Sequence, residues 1–318
     1  MKRNIINRTL MQTRITAIFS DYDGTLCPTD SVRSQENRIP KELEQTLWDI
    51  SQCIPVCIIS SKDCHFLHPR TKFARILSCI MGIETLTFKL HKKEGRRTDE
   101  NIKSNSNSKE GCGETLYCIE DSHLMLNDNK TLQANSSLLA SLADDVSLSY
   151  KDIIVERKFT SNHQILAGIT FDYRHLENWS LYREKLGPYL KEMILKSQSV
   201  SQVAGANKLY LQTYALHPFI DVYVAKCDKG MAFDYVTSKI STIEGKGKGP
   251  QKIMYLGDSD NDNPAFMKAD VSIGIRSDDR LNAKLSCTKV VKFDVLPIFL
   301  KRLIDNNLVF SDNMLAYN

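Results

Sequence analysis

The sequence predicts an α/β protein in which a parallel-sheet core is interrupted by an inserted α+β unit. Near the N-terminus, apolar runs of strand length alternate with helical stretches, and the same alternation returns from Asp228 to the C-terminus. This alternation is typical of a parallel sheet with helices on its faces. The middle of the chain instead carries several strand-like runs and few helices, which is typical of a largely antiparallel sheet.

The N-terminal part begins the parallel pattern. The predicted elements are strand 15–19, helix Lys41–Ser51, strand 54–59, a helix over residues 66–81 and strand 83–90. The helix Lys41–Ser51 is predicted because Leu43, Leu47 and Ile50 recur at helical spacing. Residues 92–113 contain almost no apolar side chains, so we expect a mobile surface insertion there.

The predicted α+β unit follows that insertion. Its expected strands are 114–119, 146–155, 164–173, 208–214 and 221–225, and its expected helices are about 136–144 and 177–197. A break or kink is expected at Gly187-Pro188, because proline removes a helical hydrogen bond. From Asp228 onward we expect helix 229–240, strand 253–256, a short helix 264–269, strands 271–275 and 289–293, and helix 295–306. The predicted division is a core of residues 1–85 and 216–318 with an inserted cap of residues 86–215.

Composition narrows the possible functions. The chain has 318 residues, which suits two domains, and its 42 basic and 38 acidic residues give a net charge of only +4. That balance does not favour nucleic acid or a membrane as partner, so a small molecule is the expected ligand. Nine cysteines without a C-x-x-C pair fit neither a disulfide framework nor a structural zinc site, and we expect reduced thiols in a cytoplasmic protein. Neither a signal peptide nor a membrane-spanning stretch is recognisable.

Two aspartates follow the first predicted strand. Asp21 and Asp23 are two residues apart, so both side chains are expected to point toward one place beyond the strand end. Such a pair is tolerable if a divalent cation lies between the carboxylates or if one is protonated during a reaction. A polar Asp-Gly turn would be the simpler explanation for this stretch taken alone.

Polar groups at four places make a functional site more specific. They are Asp21 with Asp23, Ser60 with Lys62, Lys229 at a helix start, and Asp258, Asn261 and Asp262 after Leu256. The carboxyl ends of parallel strands form one crevice, where residues remote in sequence can meet. Each group also has a structural explanation: Ser60 could cap a helix, Lys229 could be solvated, and Asp258 and Asp262 could form a turn and an N-cap.

These residue types suit phosphoryl transfer. Asp21 would attack phosphorus as the nucleophile, and Asp23 would protonate the leaving alcohol and later activate water. Mg²⁺ would bind Asp21, the backbone carbonyl of Asp23 and Asp258. Lys229 and Ser60 would neutralise the phosphoryl oxygens, and Asp262 would orient Lys229 or a metal-bound water.

The four motifs resemble those of the haloacid dehalogenase superfamily of phosphohydrolases. They are D-Y-D-G-T-L at 21–26, I-I-S-S-K at 58–62, D-K-G at 228–230 and G-D-S-D-N-D at 257–262. Their order is similar to that of members with a large inserted cap, such as Cof-like, sucrose-phosphate and trehalose-6-phosphate phosphatases. The resemblance implies a Rossmann-like core, a lid-like cap, dependence on Mg²⁺ and the roles given above.

Some features depart from that pattern. Ser61-Lys62 stands where Gly-Arg is common, so the role of Lys62 is open. Segments 155–158 and 172–174 resemble parts of the trehalose-6-phosphate phosphatase cap at a longer spacing, which makes Arg174 a candidate substrate contact or a cap-surface arginine. The expected function is that of a phosphatase, and the expected substrate is a small phosphorylated metabolite of the sugar-phosphate kind. A phosphomannomutase-like enzyme and a catalytically idle regulatory protein are the alternatives, and the oligomeric state is open.

Overall fold

The computed structural model describes residues 12–28, 38–91, 116–125, 129–162, 164–200, 208–214, 217–243, 245, 250–277 and 284–315. The predicted insertion at 92–113 lies outside these residues. Within the described ranges, no helix combines the length and the apolar character needed to cross a lipid bilayer.

An eight-stranded sheet forms the core. Its strands, in spatial order, are Lys289–Lys292, Val271–Arg276, Ile253–Gly257, Ala17–Ser20, Val56–Ile59, Ile76–Cys79, Glu84–His91 and Leu116–Leu124. The first six are parallel, and the last two pairings are antiparallel. A two-stranded ladder joins Thr13–Arg14 to Val309–Phe310. The predicted α/β class with a parallel sheet is confirmed.

Helices cover both faces of this sheet. Alternate strand residues point to opposite faces, and because both sets are largely apolar, each face has to be shielded from water. On one face, Ile18, Val56 and Ile58 share a buried cluster with the helices Lys41–Ser51 and Leu296–Asp305. On the other face, a second cluster joins residues of the same strands to the helices Lys229–Ile243 and Asn263–Phe266; its members include Ala17, Phe19, Cys57, Ile59, Phe233, Val236, Ile240 and Phe266. The strands are therefore held between two apolar layers.

A second sheet, entirely antiparallel, has the strand order Ile154–Phe159, Leu166–Asp172, Phe219–Tyr223 and Tyr210–Thr213. Two long helices, Asn129–Ser149 and Trp179–Val200, pack with it. We call these four strands and two helices the cap. The expected α+β unit is thus present, inserted between the strands and helices of the core.

Several element assignments differ from the prediction. The stretch predicted as helix 66–81 contains the short helix Cys64–Leu67, the 3-10 turn His68–Arg70 and the fully buried strand Ile76–Cys79. Residues 146–149 of the predicted strand 146–155 are the end of helix Asn129–Ser149, and the strand begins only at Ile154. Helix Trp179–Val200 continues through Pro188, without the expected break.

The division into core and cap at residues 86 and 216 stays a prediction. Strand Glu84–His91 crosses the first boundary, and with Leu116–Leu124 it hydrogen-bonds within the eight-stranded sheet. Strand Phe219–Tyr223 lies beyond the second boundary and pairs with cap strands on both sides.

Candidate active site

Three neighbouring strands bring the predicted polar groups to one edge of the core sheet. Asp21 follows Ala17–Ser20, Ser60 follows Val56–Ile59, and Asp258 follows Ile253–Gly257. In-register pairing aligns Ser20 with Leu256 on one side and with Ile58 on the other. The three strands therefore end at the same level, and their following residues share the crevice at their carboxyl ends.

Lys229 lies between two of the predicted carboxylates. Its Nζ is 3.0 Å from Asp21 Oδ1 and donates to Asp262 Oδ1 at 2.7 Å. All three side chains are buried, and Lys229 has no exposed surface. Helix Lys229–Ile243 starts at this lysine, with Asp228 Oδ1 accepting from the backbone N–H of Met231 at 2.7 Å. The ammonium is thus fixed beside the group predicted to be the nucleophile.

Asp262 uses both carboxylate oxygens within the protein. Oδ1 also accepts from the Tyr255 hydroxyl at 2.7 Å, and Oδ2 accepts from the backbone N–H groups of Asp258 and Ser259, each at 3.0 Å. Burial raises the pKa of Tyr255, so its hydroxyl stays protonated and donates. This arrangement suits Asp262 to hold Lys229 and the 258–259 backbone in place rather than to bind a ligand.

The charges of this cluster influence one another strongly. Burial, opposed by the Lys229 ammonium and supported by the charges of Asp262 and Asp23, raises the pKa of Asp21 to about 7. Burial would lower the pKa of Lys229, but Asp21 and Asp262 outweigh it and hold that pKa above its ordinary value. Lys229 is therefore cationic at neutral pH. Asp21 titrates close to neutral pH, so a bound cation would readily displace its proton.

Asp258 lies directly over the glycine of the first motif. Gly24 has φ +82°, and a Cβ at this position would come within 2.1 Å of Asp258 Oδ2. Thr25 Oγ1 donates to Asp258 Oδ1 at 3.4 Å. Gly24 is needed here both for its left-handed backbone and for the space that the carboxylate occupies.

We expect Gly24→Ala to lower the free energy of unfolding by about 2–4 kcal/mol, since a left-handed alanine and an overpacked side chain both cost energy. Gly245→Ala is the matched control, because Gly245 has φ +86° and no atom of the described residues lies within 4 Å of an added Cβ. It should lose only the backbone share of ~1–2 kcal/mol. Denaturant unfolding of both variants measures the difference, and equal losses would show that Asp258 does not occupy this space.

A divalent cation fits this cluster. Asp21, Asp258 and Asp262 each offer one carboxylate oxygen, and these oxygens lie within 4.8 Å of one another. Since Asp262 is already engaged by Lys229, Tyr255 and backbone N–H groups, Asp21 and Asp258 are the better ligands. Hard carboxylate oxygens of this kind are what Mg²⁺ prefers.

The Ser60 and Asp23 side chains both contact Lys62. Ser60 is buried, and its Oγ accepts from the backbone N–H of Lys62 at 3.3 Å. It does not cap the following helix, because Asp63 performs that role by accepting from Phe66 N–H at 2.9 Å. The Asp23 side chain keeps 33% of its surface exposed, with Oδ2 3.6 Å from Lys62 Nζ. Asp23 is therefore the more accessible of the two aspartates in its motif.

Two further candidates make their hydrogen bonds to residues other than Asp21 and Lys229. Asn261 accepts through Oδ1 from the Ser259 hydroxyl at 2.8 Å, so it belongs to the loop that holds Asp258. Arg174 lies at the end of a cap strand, where its Nε donates to Asp172 Oδ1 at 3.0 Å and its guanidinium is 5.8 Å from the Phe219 ring centroid. The substrate contact suggested for Arg174 stays a prediction.

The cap turns a polar row toward the core. Glu156, Thr170, Asp221 and Gln212 are successive cross-strand partners and so share one face of its sheet. At one end of the row, Glu156 Oε1 is 3.0 Å from Lys62 Nζ; at the other, Gln212 Nε2 donates to the Cys227 carbonyl at 2.7 Å. The two contacts place this face against the segments that carry the second and third motifs.

Sequence reasoning missed several of these participants. Tyr255 lies in an apolar strand, where an aromatic residue is ordinarily a packing residue, and only the fold places its hydroxyl on Asp262. Glu156 is far from the motifs along the chain, and its pairing with Lys62 spans 94 residues. No short-range pattern could indicate either contact.

Solved structures resemble the chain over most of its length. The C-terminal domain of C. albicans trehalose-6-phosphate phosphatase has 13% sequence identity and a TM-score of 0.60, covering 92% of this chain and 93% of its own. A trehalose-6-phosphate phosphatase related protein has 15% identity and a TM-score of 0.56, covering 92% of this chain and 98% of its own. A haloacid dehalogenase-like hydrolase from Bacteroides thetaiotaomicron has 14% identity and a TM-score of 0.53, covering 91% of this chain and 99% of its own. The chain has the haloacid dehalogenase fold.

The predicted resemblance is thereby confirmed at the level of the fold. No family model matches the sequence, and no curated protein matches it either. A haloacid dehalogenase fold at 13–15% identity does not carry an activity with it, so the chemistry depends on this chain's own residues.

Proposed function

We propose that this protein is a Mg²⁺-dependent phosphatase that works through an aspartyl-phosphate intermediate on Asp21. The observation that carries the proposal is the buried cluster in which Lys229 lies 3.0 Å from Asp21, with Asp258 beside them. Here a carboxylate nucleophile, a fixed cation and a second carboxylate meet at the mouth of a parallel sheet. Catalysis of phosphoryl transfer depends almost entirely on positioning the reactants and compensating their charge.

The chain's own residues divide the reaction into two displacements. A carboxylate oxygen of Asp21 forms a bond to phosphorus while the bond from phosphorus to the leaving oxygen breaks. Asp23 gives its proton to that oxygen, and its carboxylate then takes a proton from the water that attacks phosphorus. The bond from phosphorus to the Asp21 oxygen breaks in this second step, which releases inorganic phosphate and restores the Asp21 carboxylate. Lys229 and the Ser60 hydroxyl compensate the charge on the phosphoryl oxygens.

Asp21, Asp258 and the backbone carbonyl of Asp23 are the groups that would hold Mg²⁺. When bound, the ion supplies positive charge that reduces the repulsion between the Asp21 carboxylate and an incoming phosphate. Asp262 and Tyr255 keep the neighbouring groups oriented, as their hydrogen bonds indicate.

The cap supports a hydroxyl-rich substrate such as a sugar phosphate. Its row of Glu156, Thr170, Asp221 and Gln212 is turned toward the core. Thr170 and Asp221 are buried and hydrogen-bonded to each other, whereas Glu156 and Gln212 at the two ends are partly exposed and carry polar groups of the kind that pair with hydroxyls. Asp221 is buried with Lys158 Nζ at 3.6 Å and the Tyr214 hydroxyl at 3.0 Å, which fixes its orientation. A preorganised polar surface selects ligands by the hydroxyl groups they offer.

A panel of phosphorylated metabolites tests the proposal. Incubated with Mg²⁺, the protein should release inorganic phosphate from one or more sugar phosphates, and EDTA should stop the release. An isomerised sugar phosphate without free phosphate would instead indicate a mutase. Absence of both products, together with no phosphorylation of the protein, would indicate a regulatory protein without catalytic activity.

Binding of Mg²⁺ should become weaker as the pH falls. Because the pKa of Asp21 is raised to about 7, protons compete with the metal for this carboxylate below that pH. The apparent affinity should fall by up to about tenfold per pH unit between pH 7 and pH 5.5, and should level off above pH 7. Calorimetric titration at several pH values measures this dependence. The Asp21→Asn variant should show a flatter profile, and a flat wild-type profile would contradict the prediction.

A further inference from the structure

Lys62 is a buried ammonium between the core and the cap. Only 5% of the residue is exposed, and its Nζ lies 3.0 Å and 3.4 Å from the two Glu156 carboxylate oxygens. The same nitrogen is 3.6 Å from Asp23 Oδ2. One lysine thus contacts both the proposed acid–base group in the core and a carboxylate on a cap strand.

Residues of the core hold the Lys62 backbone in place. Its N–H donates to Ser60 Oγ at 3.3 Å, and its carbonyl accepts from Ile80 N–H at 2.9 Å. The ammonium is also 5.0 Å from the centroid of the Phe66 ring. Burying a lysine is costly unless carboxylates compensate it, and Asp23 and Glu156 are the two carboxylates placed to do so here.

Resting on the proposed function, we infer that Lys62 is a positioning residue that couples Asp23 to the cap. Lys62 holds the Asp23 carboxyl in place, and Glu156 supplies the second anion that keeps the ammonium at this site. Proton transfer requires Asp23 to lie within hydrogen-bond reach of the leaving oxygen. Part of the acid–base machinery is therefore under the control of the cap through one lysine.

Two substrates of similar shape distinguish loss of Asp23 positioning from a general loss of activity. Phenyl phosphate and 4-nitrophenyl phosphate share the attack by Asp21, but phenolate is the poorer leaving group and depends more on protonation. Since general acid catalysis contributes ~10²–10⁴-fold, Lys62→Met should lower kcat/KM for phenyl phosphate at least about tenfold more than for 4-nitrophenyl phosphate. Lys62→Arg should restore part of the loss with phenyl phosphate, because it retains the charge.

Glu156→Gln tests the part played by the cap. It should change the ratio between the two substrates in the same direction as Lys62→Met, and the double variant should show less than the product of the two effects. Arg157→Ala is the matched control on the same strand, where Arg157 Nη2 pairs with Asp144 Oδ1 at 2.6 Å on the other face of the sheet. It should leave the ratio unchanged.

The outcomes are distinguishable from failure of the proposed function. If the wild type releases phosphate and Asp21→Asn does not, but Lys62→Met lowers kcat/KM equally for both substrates or for neither, the inference about Lys62 is wrong. A Glu156→Gln ratio equal to that of the wild type would overturn the role of the cap. Only variants whose thermal unfolding matches that of the wild type are compared. If Lys62→Met is unfolded, the kcat/KM ratios of Lys62→Arg and Glu156→Gln decide the outcome. Failure of the wild type to hydrolyse either ester with Mg²⁺ would instead count against the phosphatase itself.

Discussion

Asp21→Asn is expected to abolish phosphate release while leaving the protein folded. The amide has nearly the shape of the carboxyl but cannot form the acyl phosphate, so the rate should fall by at least about 10⁴-fold. Lys229 keeps its hydrogen bond to Asp262, and the buried cluster therefore retains its cation. Steady-state phosphate release with Mg²⁺ and the best substrate of the panel measures the effect.

The stability of the Asp21→Asn variant should not fall with its activity, and at high pH it should match or exceed that of the wild type. A carboxyl whose pKa is raised to about 7 on folding contributes a stability that is full below its unfolded pKa of ~4 and is lost as the pH rises to about 7. At pH 8, Asp21→Asn should therefore unfold at an equal or higher denaturant concentration than the wild type. Asp312→Asn, which alters a surface pair with Lys289 at 2.9 Å, is the control and should keep full activity. Phosphate release by Asp21→Asn at the wild-type rate would refute the assignment.

Lys229→Met should cost both activity and stability. It removes the buried ammonium that lies between Asp21 and Asp262 and leaves two carboxylates without compensation. Breaking a buried ion pair from one side costs ~3–5 kcal/mol, which is a large share of the stability of an ordinary domain. Denaturant unfolding monitored by circular dichroism measures this loss.

Two comparison variants separate the buried charge from the helix position. Lys239 lies in the same helix as Lys229 and forms a surface ion pair with Asp121. Lys239→Met should therefore lower the free energy of unfolding by only ~0–1 kcal/mol. Adding Asp262→Asn to Lys229→Met should recover part of the lost stability, since one uncompensated anion is removed, but no activity. Equal stability of Lys229→Met and the wild type would show that the cluster is not charged as described.

The core of the fold follows from the sequence because its strands are buried on both faces. Residues 15–19 and 253–256 are predominantly apolar, which is typical of central parallel strands. The motif aspartates come just after these stretches, so their convergence could be anticipated from the edge at which parallel strands end. The structure brings Asp21, Lys229, Asp258 and Asp262 together as that reasoning expected.

Other elements could not be assigned from local patterns. Ile76–Cys79 is a stretch of only four residues, and periodicity cannot separate such a short strand from a helix when all its residues are buried. Pro188 lies inside helix Trp179–Val200, where packing against the cap sheet outweighs the local preference of proline. The contact of Lys62 with Glu156 depends on how cap and core dock, which a single sequence does not encode in any short pattern.

Chemical trapping of the intermediate is the most direct test of the central assignment. Hydride reduction of an aspartyl phosphate yields homoserine, so borohydride quenching of the enzyme during turnover, followed by peptide mass spectrometry, identifies the phosphorylated carboxylate. We expect homoserine at position 21 only when Mg²⁺ and a phosphate ester are both present. Homoserine at another aspartate, or rapid turnover with position 21 unmodified, would contradict the mechanism.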